Sequence, residues 1–125
     1  MLFELKTPYA VDSAIMGETE RLVIILFQSG QSDLEQFLES HQVLLVNMAI
    51  FFKVNIEMVP QFNNIYDITE DTVMIFYKNK HVQTEFGSKL IKVIESDKFV
   101  QIIQKAYINV KKVQKEIKAR RTKQQ

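Results

Sequence analysis

The residues equipped for chemistry are few, and their types narrow what they can do. The chain of 125 residues holds no cysteine, so disulfides, thiolate metal sites and cysteine nucleophiles are excluded. Its two histidines, His41 and His81, stand far apart. His41 falls on or beside the apolar face of a predicted helix and reads as a packed or rim residue. His81 falls in a lysine-flanked turn and reads as a surface contact. Glu70 and Asp71 are adjacent carboxylates before an apolar run; such a pair can hold a cation but more often marks a solvated turn. Ser29 and Ser32 bracket a turn before a helix and read as turn and cap residues. No Ser/His/Asp set has a recognisable spacing. Gly17, Gly30 and Gly87 are too scattered to form a phosphate loop. What remains is charge: Lys78 and Lys80 beside His81, and a run of basic residues near the end of the chain.

The elements that must position these groups alternate. Val11–Met16 predicts a short helix closed by Gly17. Leu22–Phe27 is a continuous apolar run, β-branched and short, so it predicts a strand covered on both faces. Ser32-Asp33-Leu34-Glu35 has the capping-box pattern and opens a helix over Asp33–Val43. Met48–Ile56 predicts a second strand, and Pro60–Tyr66 a short helix with proline in its first turn. Thr72–Tyr77 predicts the third apolar strand, Lys78–His81 a hairpin turn and Val82–Phe86 a return strand ended by Gly87. Aromatic residues of these strands, Phe51, Phe52, Phe76 and Tyr77, read as core rather than as base-stacking platforms. Ser96 is a suitable N-cap for the last helix. There Phe99, Ile102, Ile103, Ala106, Tyr107, Val110 and Val113 form one apolar stripe. Beyond Val113 only Ile117 continues it, so Lys115–Gln125 is expected to fray.

The size fits one domain, with residues 1–114 as the folded body and 115–125 as a basic tail. Net charge is +1, but it is unevenly spread. The first 104 residues carry 8 basic and 14 acidic side chains, the last 21 carry 8 basic and one acidic, Glu116. A basic end on an acidic body suits an acidic surface, RNA or phosphate; it equally suits a solvated helix end, where cations complement the dipole. No apolar run approaches the ~20 residues that span a bilayer, and Met1–Lys6 lacks the basic start of a secretory signal. The expectation is a soluble intracellular protein with no membrane contact.

An alternation of helix and strand that ends in a hairpin and a helix predicts an α/β fold. The sheet is mixed, with four strands or five, and flanked by helices. This order resembles the thioredoxin-like fold. A working thioredoxin carries Cys-x-x-Cys at the start of the helix after its first long buried strand. Phe27-Gln28-Ser29-Gly30-Gln31-Ser32-Asp33 stands there instead, with Ser29 and Ser32 at about the spacing of the lost thiols. The fold's cis-proline is replaced by Asp71, whose peptide bond should be trans.

Four stretches then carry a more specific resemblance. They are Val11-Asp12-x-Ala14-Ile15 with Arg21-x-Val23-x-Ile25-x-Phe27; Val59-Pro60-x-Phe62-Asn63-x-x-Tyr66; Thr72-Val73-Met74-x-Phe76 with Asn79-Lys80-His81; and Ile102-Ile103 with Tyr107. In these the chain resembles the Dim family, small thioredoxin-like proteins of the U5 snRNP, from residue 1 to about Tyr107. It departs from that pattern in a shorter stretch between Phe27 and Met48, where the family's tryptophan and lone cysteine are missing. It departs again in the segment after Gly87 and in the tail.

The resemblance implies a non-enzymatic, nuclear component of the U4/U6.U5 tri-snRNP that needs no cofactor. It would dock on large scaffold proteins of the U5 snRNP, with contact to snRNA or pre-mRNA left open and no small-molecule substrate. Candidate partner contacts are Phe62, Asn63 and Tyr66 on the short helix and Lys78, Asn79, Lys80 and His81 on the hairpin. Candidate contacts to RNA or an acidic partner are Lys111, Lys112, Lys115, Lys118, Arg120 and Arg121. Two alternatives stay open: a thioredoxin-fold adaptor or co-chaperone outside the spliceosome, and a direct RNA binder acting through the basic C-terminal helix.

Overall fold

A computed structural model describes the backbone of residues 1–123 and the side chains of residues 1–120. The elements are β1 (Phe3–Glu4), α1 (Pro8–Gly17), β2 (Leu22–Gln28), α2 (Asp33–His41), β3 (Ala49–Asn55), α3 (Gln61–Ile65), β4 (Thr72–Tyr77), β5 (Lys80–His81) and α4 (Ser96–Lys123). They build one five-stranded sheet in the order β1-β3-β2-β4-β5. β1 and β2 both run parallel to β3, whereas β4 is antiparallel to β2 and to β5.

Alternation along β2 divides the core in two. Leu22, Ile24 and Leu26 point to the layer holding Leu34 and Leu38 of α2 and Phe99, Ile103 and Ala106 of α4. Val23, Ile25 and Phe27 point to the layer holding Val11 and Ile15 of α1 and Phe62 of α3. Every residue of β2 and β4 is buried, as a strand covered on both faces requires. Among the described residues, no helix is long and apolar enough to cross a membrane.

Several local expectations need correction. β1 was not foreseen, because two residues carry no periodicity; its pairing of Phe3 with Phe52 adds the fifth strand. α1 begins earlier than the apolar pattern suggests, at Pro8, because the Thr7 hydroxyl accepts the Ala10 amide at 3.0 Å and caps it. The capping box of Ser32 and Glu35 does not form. Both side chains are drawn instead to Gln28, a buried amide at the end of β2. The Ser32 hydroxyl donates to Gln28 Oε1 at 2.9 Å, and Gln28 Nε2 donates to Glu35 Oε1. A buried amide left without partners costs more than a helix cap returns, so the amide wins. Glu35 also meets Lys53 of β3 at 3.5 Å.

The return strand is shorter than expected and starts sooner. Lys78 and Asn79 alone make the turn, at φ of 49° and 66°. Positive φ at both central residues gives a tight hairpin the twist its strands need. β5 ends at His81, and Val82 adds one more bond, donating to the Ile75 carbonyl at 2.8 Å. Residues 84–87 then turn back on themselves, with Gly87 at φ 86°. Leu90 closes the far end of β4 through two bonds to Val73, at 2.8 and 3.0 Å. Asn79→Val should cost about 1–2 kcal/mol, because a β-branched side chain resists positive φ, whereas Asn79→Gly should be neutral or stabilising. Urea titration of both variants checks this.

Glu18 organises the corner between α1 and β2. Its carboxylate accepts the Glu20 and Arg21 amides at 3.0 and 3.1 Å and both Nε and Nη2 of Arg21, at 3.0 and 2.9 Å. Burial pushes this carboxyl up, but the two amides and the guanidinium outweigh it and hold it below its ordinary value. A depressed folded pKa means stability that is present at neutral pH and lost as pH falls through that pKa. Glu18→Gln should therefore cost about 0.5–1 kcal/mol at neutral pH after solvent screening, and the gap should close under acid. Denaturation midpoints measured at neutral and acid pH test this.

Candidate functional site

The position of a thioredoxin dithiol, at the start of α2, is filled by polar structure. Ser29 lends its backbone amide to Asp71 Oδ1 at 3.1 Å. The Ser32 hydroxyl is spent on Gln28, as described above. Among the described residues no peptide bond is cis, so Asp71 takes the trans form its identity predicts. Lacking sulfur, this corner cannot carry out dithiol exchange.

His41 is a core residue. It is buried, its Nδ1 lies 2.6 Å from the Phe37 carbonyl and its Nε2 lies 2.7 Å from the Ser96 hydroxyl. Its ring packs on Phe37 and Phe99 at 4.5 and 5.2 Å. The link ties α2 to the first residue of α4, so Ser96 holds the histidine there. His41→Leu should cost only about 1 kcal/mol, the hydrogen-bonded link between α2 and α4, because the exposed Ser96 hydroxyl turns to solvent and the Phe37 carbonyl keeps the Ser40 hydroxyl at 2.7 Å. Thermal melts would show it.

Phe62 and Asn63 on α3 and Tyr66 just after it lie on the other face of the sheet from α4. Phe62 is buried and stacks on Tyr66 with ring centres 5.9 Å apart, and both rings pack on Phe27. Tyr66 is half-buried; burial first, and then the Asp12 carboxylate, push its hydroxyl above the ordinary value. Asn63 donates to the Ile56 carbonyl at 3.2 Å, while its Oδ1 is buried without a partner among the described residues. These residues build the α1–α3 layer.

The hairpin and the C-terminal helix do come together. α4 has 28 residues and is about 42 Å long at ~1.5 Å per residue. A strand the length of β4 covers only about 20 Å at ~3.3 Å per residue. Phe99, Ile102, Ile103 and Ala106 are buried on the sheet, and the same apolar stripe then outruns it. Val113 and Ile117 are 51% and 47% exposed. The helix is drawn without a break from Ser96 to Lys123, and the last residues of the expected basic tail, 124–125, lie outside the described residues.

Between this overhang and β5 runs a groove of about 600 Å³. Tyr77, Val82, Val110, Val113 and Ile117 line it together with Lys78, Lys80, His81 and Lys118. No aspartate or glutamate is among its lining residues. Tyr77 pins the two walls: its hydroxyl donates to Gln114 Oε1 at 2.6 Å, and its ring sits beneath Lys78 and Lys111 at 5.8 and 5.6 Å.

The candidate cations therefore separate. Lys78, Lys80, His81 and Lys118 share the groove, with Asn79 exposed at the turn beside it. His81 holds the following loop through the Ser88 carbonyl at 2.8 Å. Lys111 is engaged by its own protein, 3.2 Å from Glu20 and over the rings of Tyr77 and Tyr107. Burial lowers its pKa, but Glu20 and Tyr77 outweigh that and raise it. Lys112, Lys115 and Arg120 are exposed on α4 outside the groove lining. The side chain of Arg121 lies outside the described residues. Motif reasoning missed the apolar members Val82, Val110, Val113 and Ile117 as a site. Their signal was the stripe itself, longer than any strand it could cover.

Comparison with known proteins agrees with this architecture. A thioredoxin from Plasmodium falciparum superposes with a TM-score of 0.66 at 20% identity, over 83% of this chain and 98% of that one. That likeness establishes the thioredoxin-like fold. "Mitosis protein dim1" of Schizosaccharomyces pombe is 38% identical over 91 residues, 67% of this chain and 63% of that protein. "Spliceosomal protein DIB1" of Saccharomyces cerevisiae is 36% identical over 93 residues, 70% of this chain and 65% of that protein. The aligned part of the chain thus spans a little under two-thirds of these relatives' length. The sequence profile of the family described as Mitosis protein DIM1 matches residues 1–122, past Tyr107 and well into the basic part of α4. With a motif set, a fold and a profile match that agree along the chain, this protein belongs to the DIM1 family.

Proposed function

We propose that the chain is a non-enzymatic component of the U5 snRNP and of the U4/U6.U5 tri-snRNP in pre-mRNA splicing, where it serves as a protein-docking module in the nucleus. The observation that carries this reading is the 36% identity to a spliceosomal protein over 93 residues. The physical chemistry supports it. A thioredoxin-like scaffold without cysteine has no dithiol function to protect. Its dithiol corner is closed by the Gln28, Ser32 and Glu35 bonds, while its edge hairpin and helix overhang present a lined surface. Function then resides in what that surface meets.

The test is a pull-down of the tagged chain from native nuclear extract at about 150 mM salt, where bare attraction to phosphate is already weakened. Retention of U5, U4 and U6 RNAs together with a large scaffold protein is the expected result. A pull-down that brings chaperones or unrelated clients and none of these RNAs overturns the splicing reading.

A further inference from the structure

We propose that the groove between β5 and the overhang of α4 receives an acidic, amphipathic segment of a partner protein. Two properties of one surface point to that chemistry. The floor is aliphatic, with Val82 and Val110 half-buried and Val113 and Ile117 about half exposed. Exposed aliphatic side chains gain only if another apolar group covers them. The rim is cationic, with Lys78 and Lys80 on the hairpin wall and no carboxylate among the lining residues.

That sign is local. Over the first 104 residues the chain carries 8 basic and 14 acidic side chains, so an acidic ligand is repelled from most of the body and drawn to this edge. RNA satisfies only half of the description. Phosphates pair with lysines but leave Val113 and Ile117 uncovered, and base stacking needs open aromatic faces. Tyr77 is only 8% exposed and is overlain by two lysines. A second copy docking through the same face brings the same cations and is repelled. A peptide that alternates carboxylates with aliphatic or aromatic groups satisfies floor and rim together, and a groove of about 600 Å³ accommodates a few such side chains. This inference deepens the docking reading and rests on it for the partner's identity, whereas the chemistry of the groove stands on the groove alone.

The experiment selects displayed random peptides a dozen residues long on the full chain. A parallel selection uses Val113→Gln/Ile117→Gln, a neutral change at half-exposed helical positions that leaves the fold intact by circular dichroism. Enriched peptides are expected to be net negative with at least two large apolar residues. By fluorescence anisotropy, a synthetic consensus should lose roughly tenfold in affinity on the glutamine variant. A similar loss is expected on Lys78→Glu/Lys80→Glu. Enrichment of neutral or basic peptides, failure to enrich any, or indifference to the glutamine variant overturns the proposal. So does an oligouridine of equal length that binds as tightly as the consensus. The two readings fail separately. Acidic peptides bound without U snRNAs in the pull-down leave the groove standing and the splicing role fallen. U snRNAs retained without acidic peptides give the reverse.

Discussion

Phe27→Ala is expected to remove about 3–5 kcal/mol of folding free energy, the cost of emptying a fully buried aromatic site. Phe27 has no exposed surface and is the side chain on which Phe62 and Tyr66 both pack, at 6.5 and 6.0 Å between ring centres. Domains of this size hold only about 5–15 kcal/mol in total, so the variant should lose a large share of its stability. The loss is not local to β2. Without Phe27, α3 keeps the Tyr66–Phe76 ring contact at 5.5 Å and the Asn63–Ile56 bond at 3.2 Å, so the α1–α3 layer loosens around the void. Phe27→Leu keeps most of the volume and should cost less than about 1.5 kcal/mol. Urea unfolding followed by circular dichroism separates the two. A loss below about 1 kcal/mol for the alanine variant would mean that this layer packs differently.

Tyr77→Ala is expected to act at a distance from its own strand. Tyr77 is buried on the α4 side of β4, and its hydroxyl holds Gln114, well beyond the last buried residue of the helix, Ala106. Truncation removes ring and bond together and should cost about 3 kcal/mol. Its distinctive result is in hydrogen exchange: amides after about residue 110 should lose protection, while those around Ile103 keep it. Tyr77→Phe should cost only about 1 kcal/mol, since the hydroxyl alone is lost. If amides beyond 110 stayed protected in Tyr77→Ala, the overhang would be held by something other than this contact.

The legible parts of the fold were those whose burial is dictated by the strand itself. β4 was read to the residue and β2 to within one, because an apolar run covered on both faces has no other stable home. α3 was marked by Pro60. The misread parts were settled by distant partners. Ser32 and Glu35 have the local pattern of a cap, but Gln28 arrives from the end of β2 and claims both. The alternation from Val82 to Phe86 is real in exposure, yet after Val82 the chain turns away from β4 and Leu90 takes up the pairing. The site divided in the same way. Charges on a hairpin and on a helix end were visible in one dimension. Their meeting in one groove depends on both elements packing at the same edge of the sheet, which no local pattern records. Phe62 and Tyr66 carried the family motif because they build the layer under β2, and an aromatic motif on its own does not say which way its rings face.

The position of β2 at the centre of the sheet also has a consequence in time. Its two neighbours are β3, which pairs Leu22 with Ala49, and β4, which pairs Val23 with Phe76. Both follow it in the chain, β3 across α2 and β4 across β3 and α3, so the central pairing waits on loop closures of tens of residues, and folding belongs to the intermediate regime of mixed α/β domains. During synthesis Leu22–Phe27 emerges as six apolar residues without charge or proline, long before β4 exists to cover it. Glu18, Glu20 and Arg21 before it and Gln28-Ser29-Gly30 after it are the polar flanks that interrupt strand-on-strand association between nascent chains. Refolding yield should therefore fall as chain concentration rises, through a kinetic competition that the stability of the finished sheet does not reveal.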